Sequence, residues 1–264
     1  MFYIVLEIGI LRDKMWLQDI SLHFAKSKWS QFQILNSSKG IAPFLPPTQL
    51  AIPHVCMEFL EKYNDIILKP CHGQWGLGVV KVSKIDQEGF QIHQEQEKIF
   101  FTSKEELLNY LQTQFFSNDT YIIQKYIPLA EVDHSIFDIR VMVQRSDLGA
   151  EWEISAKVVK IASKNFIVTN VAKSLLLLEE ALLISSLPTS SIQDITPKVD
   201  EVCLLTAKHL TEYYHDIMVI GMDVGLDFKG GVWIIETNFV PDISLFRRLR
   251  DKSIYEKIKN KWKK

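Results

Sequence analysis

Cysteine is scarce in this chain of 264 residues: Cys56, Cys71 and Cys203 are an odd number in unrelated contexts. They lack the close pairing that a metal knuckle or a disulfide framework requires, which favours a reducing, intracellular setting. A surplus of charge is missing as well. Thirty Lys+Arg against 32 Asp+Glu give a formal charge of −2, which leaves no net pull toward nucleic acid or an anionic membrane. The basic tail of Lys257, Lys259, Lys261, Lys263 and Lys264 reads as a solvated helix end. No hydrophobic run is long enough to cross a bilayer. Met1 to Leu11 is short, contains Glu7 and lacks a basic leader and a cleavage pattern, so it reads as a strand, while Glu179 and Glu180 interrupt Leu175 to Leu187. Repeats, low-complexity tracts and any defensible Ser/His/Asp grouping are also absent. What is present, 47% hydrophobic and 11% aromatic residues, describes an ordinary globular protein and excludes disordered and fibrous classes.

Periodicity divides the chain. Asp19 to Leu35 has helical spacing, and Pro43, Pro46 and Pro47 punctuate a first boundary. Thr48 then stands as an N-cap before a helix over Ala51 to Tyr63. Ile66 to Lys69, Val79 to Ser83, Gly89 to His93 and Lys98 to Thr102 are short β-prone runs that predict a small antiparallel sheet. Ser103 caps a helix through Phe116, with Glu106 at the capping-box position, and Tyr121 to Ile127 returns to strand. Ile136 to Gln144 and Glu153 to Ile161 predict a hairpin. Thr196-Pro197 marks a helix start running to about His215.

From Met218 to Phe228 the residues alternate: Met222, Val224, Leu226 and Phe228 share one face, and Gly221, Asp223, Gly225 and Asp227 the other. The first is expected to be core and the second open. Lys229, Gly230 and Gly231 supply a turn before the return strand Val232 to Asn238. A two-residue turn at Lys229-Gly230 sets Asp223 opposite Glu236; one at Gly230-Gly231 sets it opposite Asn238; a three-residue loop would break this arithmetic. Two carboxylates and an amide oxygen on one face repel unless a cation lies between them, and hard oxygen donors without His or Cys suit Mg²⁺. Alternating acids also describe a plain solvated strand face.

The segment Lys69-Pro70-Cys71-His72-Gly73-Gln74-Trp75-Gly76-Leu77-Gly78 puts a lysine at a strand end and three glycines before the next strand. It is not a Walker A loop, because no Gly-Lys-Ser/Thr closes it, and a strand follows where a Rossmann fingerprint needs a helix. A kinase glycine loop would precede its lysine, and no His-Arg-Asp motif follows. What remains is a strand-loop-strand flap able to cover phosphates, or a glycine-rich hairpin without a ligand.

Lys69-Pro70 with its flap, Gln124-Lys125-Tyr126-Ile127, and Asp223 followed by Glu236-Thr237-Asn238 stand in an order that resembles the ATP-grasp superfamily. Asp138-Ile139-Arg140, the Trp152 to Lys160 strand, Thr169-Asn170 and Asn238-Phe239-Val240-Pro241 look most like its YheC/YheD endospore coat-associated family. The resemblance implies an α+β fold of two subdomains whose antiparallel sheets grip a nucleotide. Residues 1–47 would be a truncated front region, 48–127 the glycine-flap subdomain and 128–264 the metal-binding subdomain. It also implies site residues. Lys28 and Lys69 would contact phosphates under a lid of Gly73, Gly76 and Gly78. Lys125 and Tyr126 would meet adenine through their backbone, and Asp138 the ribose, with Asn170 beside the nucleotide. Asp223, Glu236 and Asn238 would hold Mg²⁺ or Mn²⁺, and Lys69, Arg140 and Lys160 would serve catalysis.

The implied chemistry is ATP-dependent ligation of a carboxylate to an amine through an acyl phosphate, with both substrates unknown, no nucleic acid and no membrane insertion. The implied setting is cytoplasmic and spore-associated, with spore coat proteins as partners. Departures from the ligases favour a second reading, a nucleotide-binding structural or regulatory protein of the spore. Lys160 and Val168 stand where the ligases carry arginine, Ala172-Lys173-Ser174 replaces a doubled glycine, and the front region is too short for the usual substrate contacts. A globular module with no nucleotide is the third reading.

Overall fold

The computed structural model describes residues 26–73, 75–85, 89–169, 171–189 and 192–262. The expected strand over Met1 to Leu11, the first part of the helix expected from Asp19, and Asn170 lie outside them. Two antiparallel sheets face each other across a cleft. The first has strands β1 (Thr48–Leu50), β2 (Asp65–Pro70), β3 (Val80–Lys84), β4 (Phe90–Gln94), β5 (Glu97–Phe101) and β6 (Tyr121–Lys125), in the order β1-β6-β2-β3-β4-β5. Alternation along β2 sends Ile66 and Leu68 into a core with Val80, Val82 and Ile123. Helices α2 (Pro53–Tyr63) and α3 (Lys104–Leu111) cover that core through Cys56, Leu60, Leu107 and Leu111. Ile67 and Lys69, half a period away, are left facing the cleft.

Thr48 is not the expected cap. It lies in β1, donates its hydroxyl to the Pro46 carbonyl and accepts from Gln124, while Ile52 precedes a helix with Pro53 at its first position. Ser103 does cap α3, accepting from the Glu106 amide. The helix expected through Phe116 widens at Gln112–Phe116 into a π turn, which lets Phe115 be buried against Tyr110 and Tyr121.

The second sheet contains β7 (Glu131–Val132), β8 (Ser135–Gln144), β9 (Glu153–Ala162), β10 (Ala172–Leu176), β11 (Val219–Leu226) and β12 (Val232–Asn238). Its order is β10-β9-β8-β11-β12, with β7 paired to β8. One face packs on α1 (Lys28–Ser37), α4 (Leu178–Ile184) and α5 (Ile192–Thr211) through Phe137, Ile139, Val141, Val224 and Ile234. Leu35, Ile41 and Leu45 are buried in that same core, so residues 28–47 are packed as part of this half of the molecule. The opposite face is covered at one end by a 3₁₀ turn (Ser244–Arg248) and α6 (Ser253–Trp262).

Helix α5 begins four residues before the expected Thr196, at Ile192, and holds Pro197 inside it. A proline there removes the bond to the Gln193 carbonyl; burial of Ile195, Val199, Val202 and Cys203 along one stripe offsets that loss.

Candidate functional site

The β11–β12 hairpin reaches the expected pairing by an unexpected route. Its loop has three residues, Phe228, Lys229 and Gly230, closed by the Asp227 amide on the Gly231 carbonyl at 2.9 Å. Gly230 takes φ +85°, the left-handed conformation such a loop requires. Asp227 is thereby a turn residue and not a ligand: its carboxylate accepts from Lys229 N, Gly231 N and Trp233 Nε1, each at 2.9 Å. Pairing then runs Leu226 with Val232 and Val224 with Ile234, but Asp223 with Glu236. Ile235 is the extra residue of a bulge that cancels the extra loop residue. Asn238 lies opposite Gly221, so Asp223, Glu236 and Asn238 share one face.

That face is not open. Every residue of β11 is buried. Gly221 accepts Pro241 against its bare Cα, and a Cβ at Gly225 would stand 2.6 Å from Leu129. Asp223 is only 7% exposed, which removes the solvated-surface reading. Across adjacent strands β8, β9 and β11, four charged side chains meet. Arg140 holds Asp223 bidentately, Nε to Oδ1 at 2.7 Å and Nη2 to Oδ2 at 3.1 Å. Lys160 lies 3.0 Å from Asp223 Oδ1 and 3.2 Å from Asp138 Oδ1. The second contact is an ion pair without hydrogen-bond alignment, so Asp138 Oδ1 is buried with no hydrogen bond from a described residue. Asp138 Oδ2 accepts from the Thr169 hydroxyl.

Electrostatics separates the two acids. Burial, reinforced by nearby Asp223 and opposed by Lys160, pushes the Asp138 carboxyl up to about 6. Burial would raise Asp223 too, but Lys160 and Arg140 together overcome it and hold that carboxyl well below the ordinary range. Asp223 is therefore a permanent anion. Arg140 also reaches the Asp242 carbonyl, so its guanidinium braces the acid at the cleft wall.

The opposite wall supplies cations and backbone groups. Lys69 donates across the cleft to the Ile235 carbonyl at 3.3 Å, a group the bulge leaves outside the ladder. Desolvation, with Lys28 adding to it and Glu236 opposing it, lowers the Lys69 ammonium to about 8. Lys28 at the start of α1 sits 3.2 Å from Glu236 and donates to the Gly73 carbonyl, joining helix, flap and acid. Gly73 and Gly76 line the cleft with Trp75 and Leu77. Gly78 does not; it supplies φ +73° at the flap base, where a Cβ would meet Tyr121 Oη at 3.0 Å.

At the other end, the Lys125 amide donates to the Pro47 carbonyl and the Tyr126 amide to the Asp65 carbonyl. Both backbone amides are thus engaged. Proline has no N–H to return, so the Lys125 carbonyl receives none from its ladder partner, and no described residue accepts from the Ile127 amide. Lys28, Lys69, Lys125, Tyr126, Asp138, Arg140, Lys160, Asp223, Glu236 and Asn238 all line one cleft of about 840 Å³, toward the upper end of the roughly 300–1,000 Å³ of small-molecule sites. Sequence reasoning missed Ile127 and Ile235. The adjacent Ile234 and Ile235 break strict alternation, and that was the available signal for the bulge.

A family model described as YheC/D-like ATP-grasp matches residues 21–262. The chain belongs to this family. Within the YheC/D-like ATP-grasp family it is 28% identical over 228 residues to endospore coat-associated protein YheD of Bacillus subtilis (strain 168), covering 83% of this chain and 49% of YheD. Endospore coat-associated protein YheC of the same organism is 25% identical over 236 residues, with 81% and 59% covered. The chain thus spans about half to three fifths of the relatives it matches.

Solved structures share the ATP-grasp fold at low identity. D-alanine–D-alanine ligase from Bacillus anthracis has a TM-score of 0.54 at 16% identity, covering 90% of this chain and 66% of that one. The ATP-grasp ligase PsnB, complexed with a minimal precursor, has a TM-score of 0.51 at 14% identity, covering 90% and 61%. PsnB has also been solved with the precursor, Mg and ADP. Among the described residues of this chain, no helix is long and apolar enough to cross a membrane.

Proposed function

We propose that this protein binds ATP with Mg²⁺ in the cleft and ligates a carboxylate to an amine through an acyl phosphate. The observation that carries the reading is the placement of Asp223, Glu236 and Asn238 on one face of the hairpin, across the cleft from Lys69 and the flap. Adenine meets the unmatched Lys125 carbonyl and the Ile127 amide, which suit its amino group and adjacent ring nitrogen. The ribose hydroxyls donate to Asp138, whose Oδ1 accepts no hydrogen bond from a described residue. Lys69 and Lys28 face the phosphates.

The donor set fits a hard cation: Asp223 is kept ionised, its Oδ2 accepts one hydrogen bond among the described residues, and Glu236 and Asn238 add oxygens from the facing strand. Mg²⁺, when bound by these three, supplies charge neutralisation and polarisation of phosphoryl oxygens. A substrate carboxylate oxygen then bonds to the terminal phosphorus as its bond to ADP breaks. The amine nitrogen next attacks the carbonyl carbon, inorganic phosphate leaves and the nitrogen loses a proton. Lys69 and Lys28 stabilise charge on the transferring group, and closure of the Gly73 to Gly78 flap excludes the water that would hydrolyse the acyl phosphate. The relatives' names support an association with the spore.

MgATP is expected to raise the melting temperature of the wild type, as any ligand of the native state does, and Glu236→Gln to remove the Mg²⁺ dependence of that rise. No rise at millimolar MgATP would reject the cleft assignment. ADP release that requires both an acid and an amine distinguishes ligation from a second reading, a nucleotide-binding structural protein. Val168, a neutral residue in the cleft lining, favours that second reading.

A further inference from the structure

The sheet face that carries the four charged groups does not stay charged along its length. Alternation places Met142 of β8 with Asp138 and Arg140, and Val158 and Ala156 of β9 with Lys160. These apolar residues are buried under Phe246 and Ile258. The cleft therefore ends, beyond Asp223, where an apolar cover begins. Leu175 and Leu245 pack on the edge of that cover and also line the cleft, and Arg248 lines it from the end of the same 3₁₀ turn.

This end is built, not draped. Pro241 is buried against Gly221, the Phe239 ring lies 4.8 Å from that of Tyr214, and Arg140 reaches the Asp242 carbonyl. The Asp242 carboxylate is engaged by Ser244, from the amide at 2.8 Å and the hydroxyl at 2.9 Å. On this shelf Val240 stands 87% exposed. Arg248 is exposed too and has no hydrogen bond or ion pair to any described residue. Other arginines differ: Arg247, its chain neighbour, lies over the Tyr255 ring at 5.6 Å, and Arg145, elsewhere in the fold, donates to three backbone carbonyls. An uncommitted guanidinium at the mouth of a cleft, beside exposed aliphatic surface, has the chemistry to take a planar anion on an apolar body.

Resting on the ligase reading, we propose that this end of the cleft seats a small amphipathic co-substrate, and that Arg248 pairs with a carboxylate of it that the reaction does not consume. Ligand-observed saturation-transfer NMR on the full chain tests this with benzoate as probe and neutral benzamide as its isostere. Benzoate at millimolar concentration is expected to bind the wild type and still to bind when MgADP is present, because the phosphate end is separate. Arg248→Gln should weaken benzoate by about fivefold or more, as loss of an exposed charge-assisted pair does, and leave benzamide unchanged. Arg247→Gln, with a committed neighbour altered, should leave benzoate unchanged and so control for general loss of charge or fold.

Benzoate bound equally by wild type and Arg248→Gln, displaced entirely by MgADP, or not bound by the wild type would overturn the assignment. A missing thermal response to MgADP would instead strike the nucleotide reading, and the benzoate comparison without nucleotide would still report on Arg248.

Discussion

At the scale of single residues, the site works by giving two neighbouring acids opposite surroundings. Asp223 has two cations and stays ionised; Asp138 shares one of them at poor alignment and has a raised pKa. The sign of the pH effect follows. The folded-state pKa of Asp138, about 6, exceeds its ordinary 3.8, so the folded chain binds more protons between those values. The contribution of Asp138 is most favourable below about pH 4 and is lost as pH rises through 6. The depressed Asp223 acts the other way: its stabilisation is present above about pH 4 and declines as acid approaches its lower folded value. Urea denaturation should therefore show the wild type losing stability relative to Asp138→Asn between pH 4 and 6, by about 2 kcal/mol. A difference that is flat or rises over that window would contradict the environment assigned to Asp138. None of this was legible beforehand, because the pattern that places Asp138, Arg140, Lys160 and Asp223 on inward faces does not say which cation each acid meets.

At the scale of elements, the hairpin shows both the reach and the limit of pattern reading. Alternation put Asp223, Glu236 and Asn238 on one face, and they are there, yet the loop is the three-residue kind that would have broken the arithmetic had no bulge followed. A bulge at Ile235 restores the pairing and lends its carbonyl to Lys69. Strands β2 to β6 lie within a few residues of their expected limits, since turn residues and alternation fix them locally. The start of α5 was misplaced because Thr196-Pro197 is a strong local signal that buried Ile195 overrides. Gly221 carries the tertiary information here: Gly221→Ala would drive a Cβ into Pro241, and overpacking of that kind costs about 1–3 kcal/mol. Chemical denaturation should register this loss, and Pro241→Gly in the same chain should recover part of it. An unaltered midpoint in Gly221→Ala would mean that the shelf is not clamped there.

Across the whole molecule, Lys28 and Lys69 each make polar contacts that join the two halves, and Lys28 touches both. Its ammonium touches Glu236 of one sheet and the flap carbonyl of Gly73 from the other. Lys28→Met should therefore speed amide hydrogen exchange over residues 75–79 by several-fold while leaving β8, β9 and β11 protected, because a local opening need not involve the core. Equal exchange in the flap would assign its closure to other contacts. The resemblance read from the sequence implied the general plan of two sheets around a cleft and named Lys28 and Lys69, both of which line it. It did not foresee that residues 28–47 belong to the larger core, since helical spacing shows that a face is apolar without showing which sheet will cover it.

Pro47 sits outside the cleft lining, yet it shapes what the far wall can recognise. Any other amino acid at that position could send a proton to the Lys125 oxygen and close the ladder. With that proton absent, an oxygen beside the Ile127 N–H stays available to the visitor. Under the ATP binding proposed above, a base with an exocyclic amine would complete the exchange, whereas one presenting a keto oxygen there would set two lone pairs against each other, so the choice of purine would rest on a hydrogen the imino acid never had.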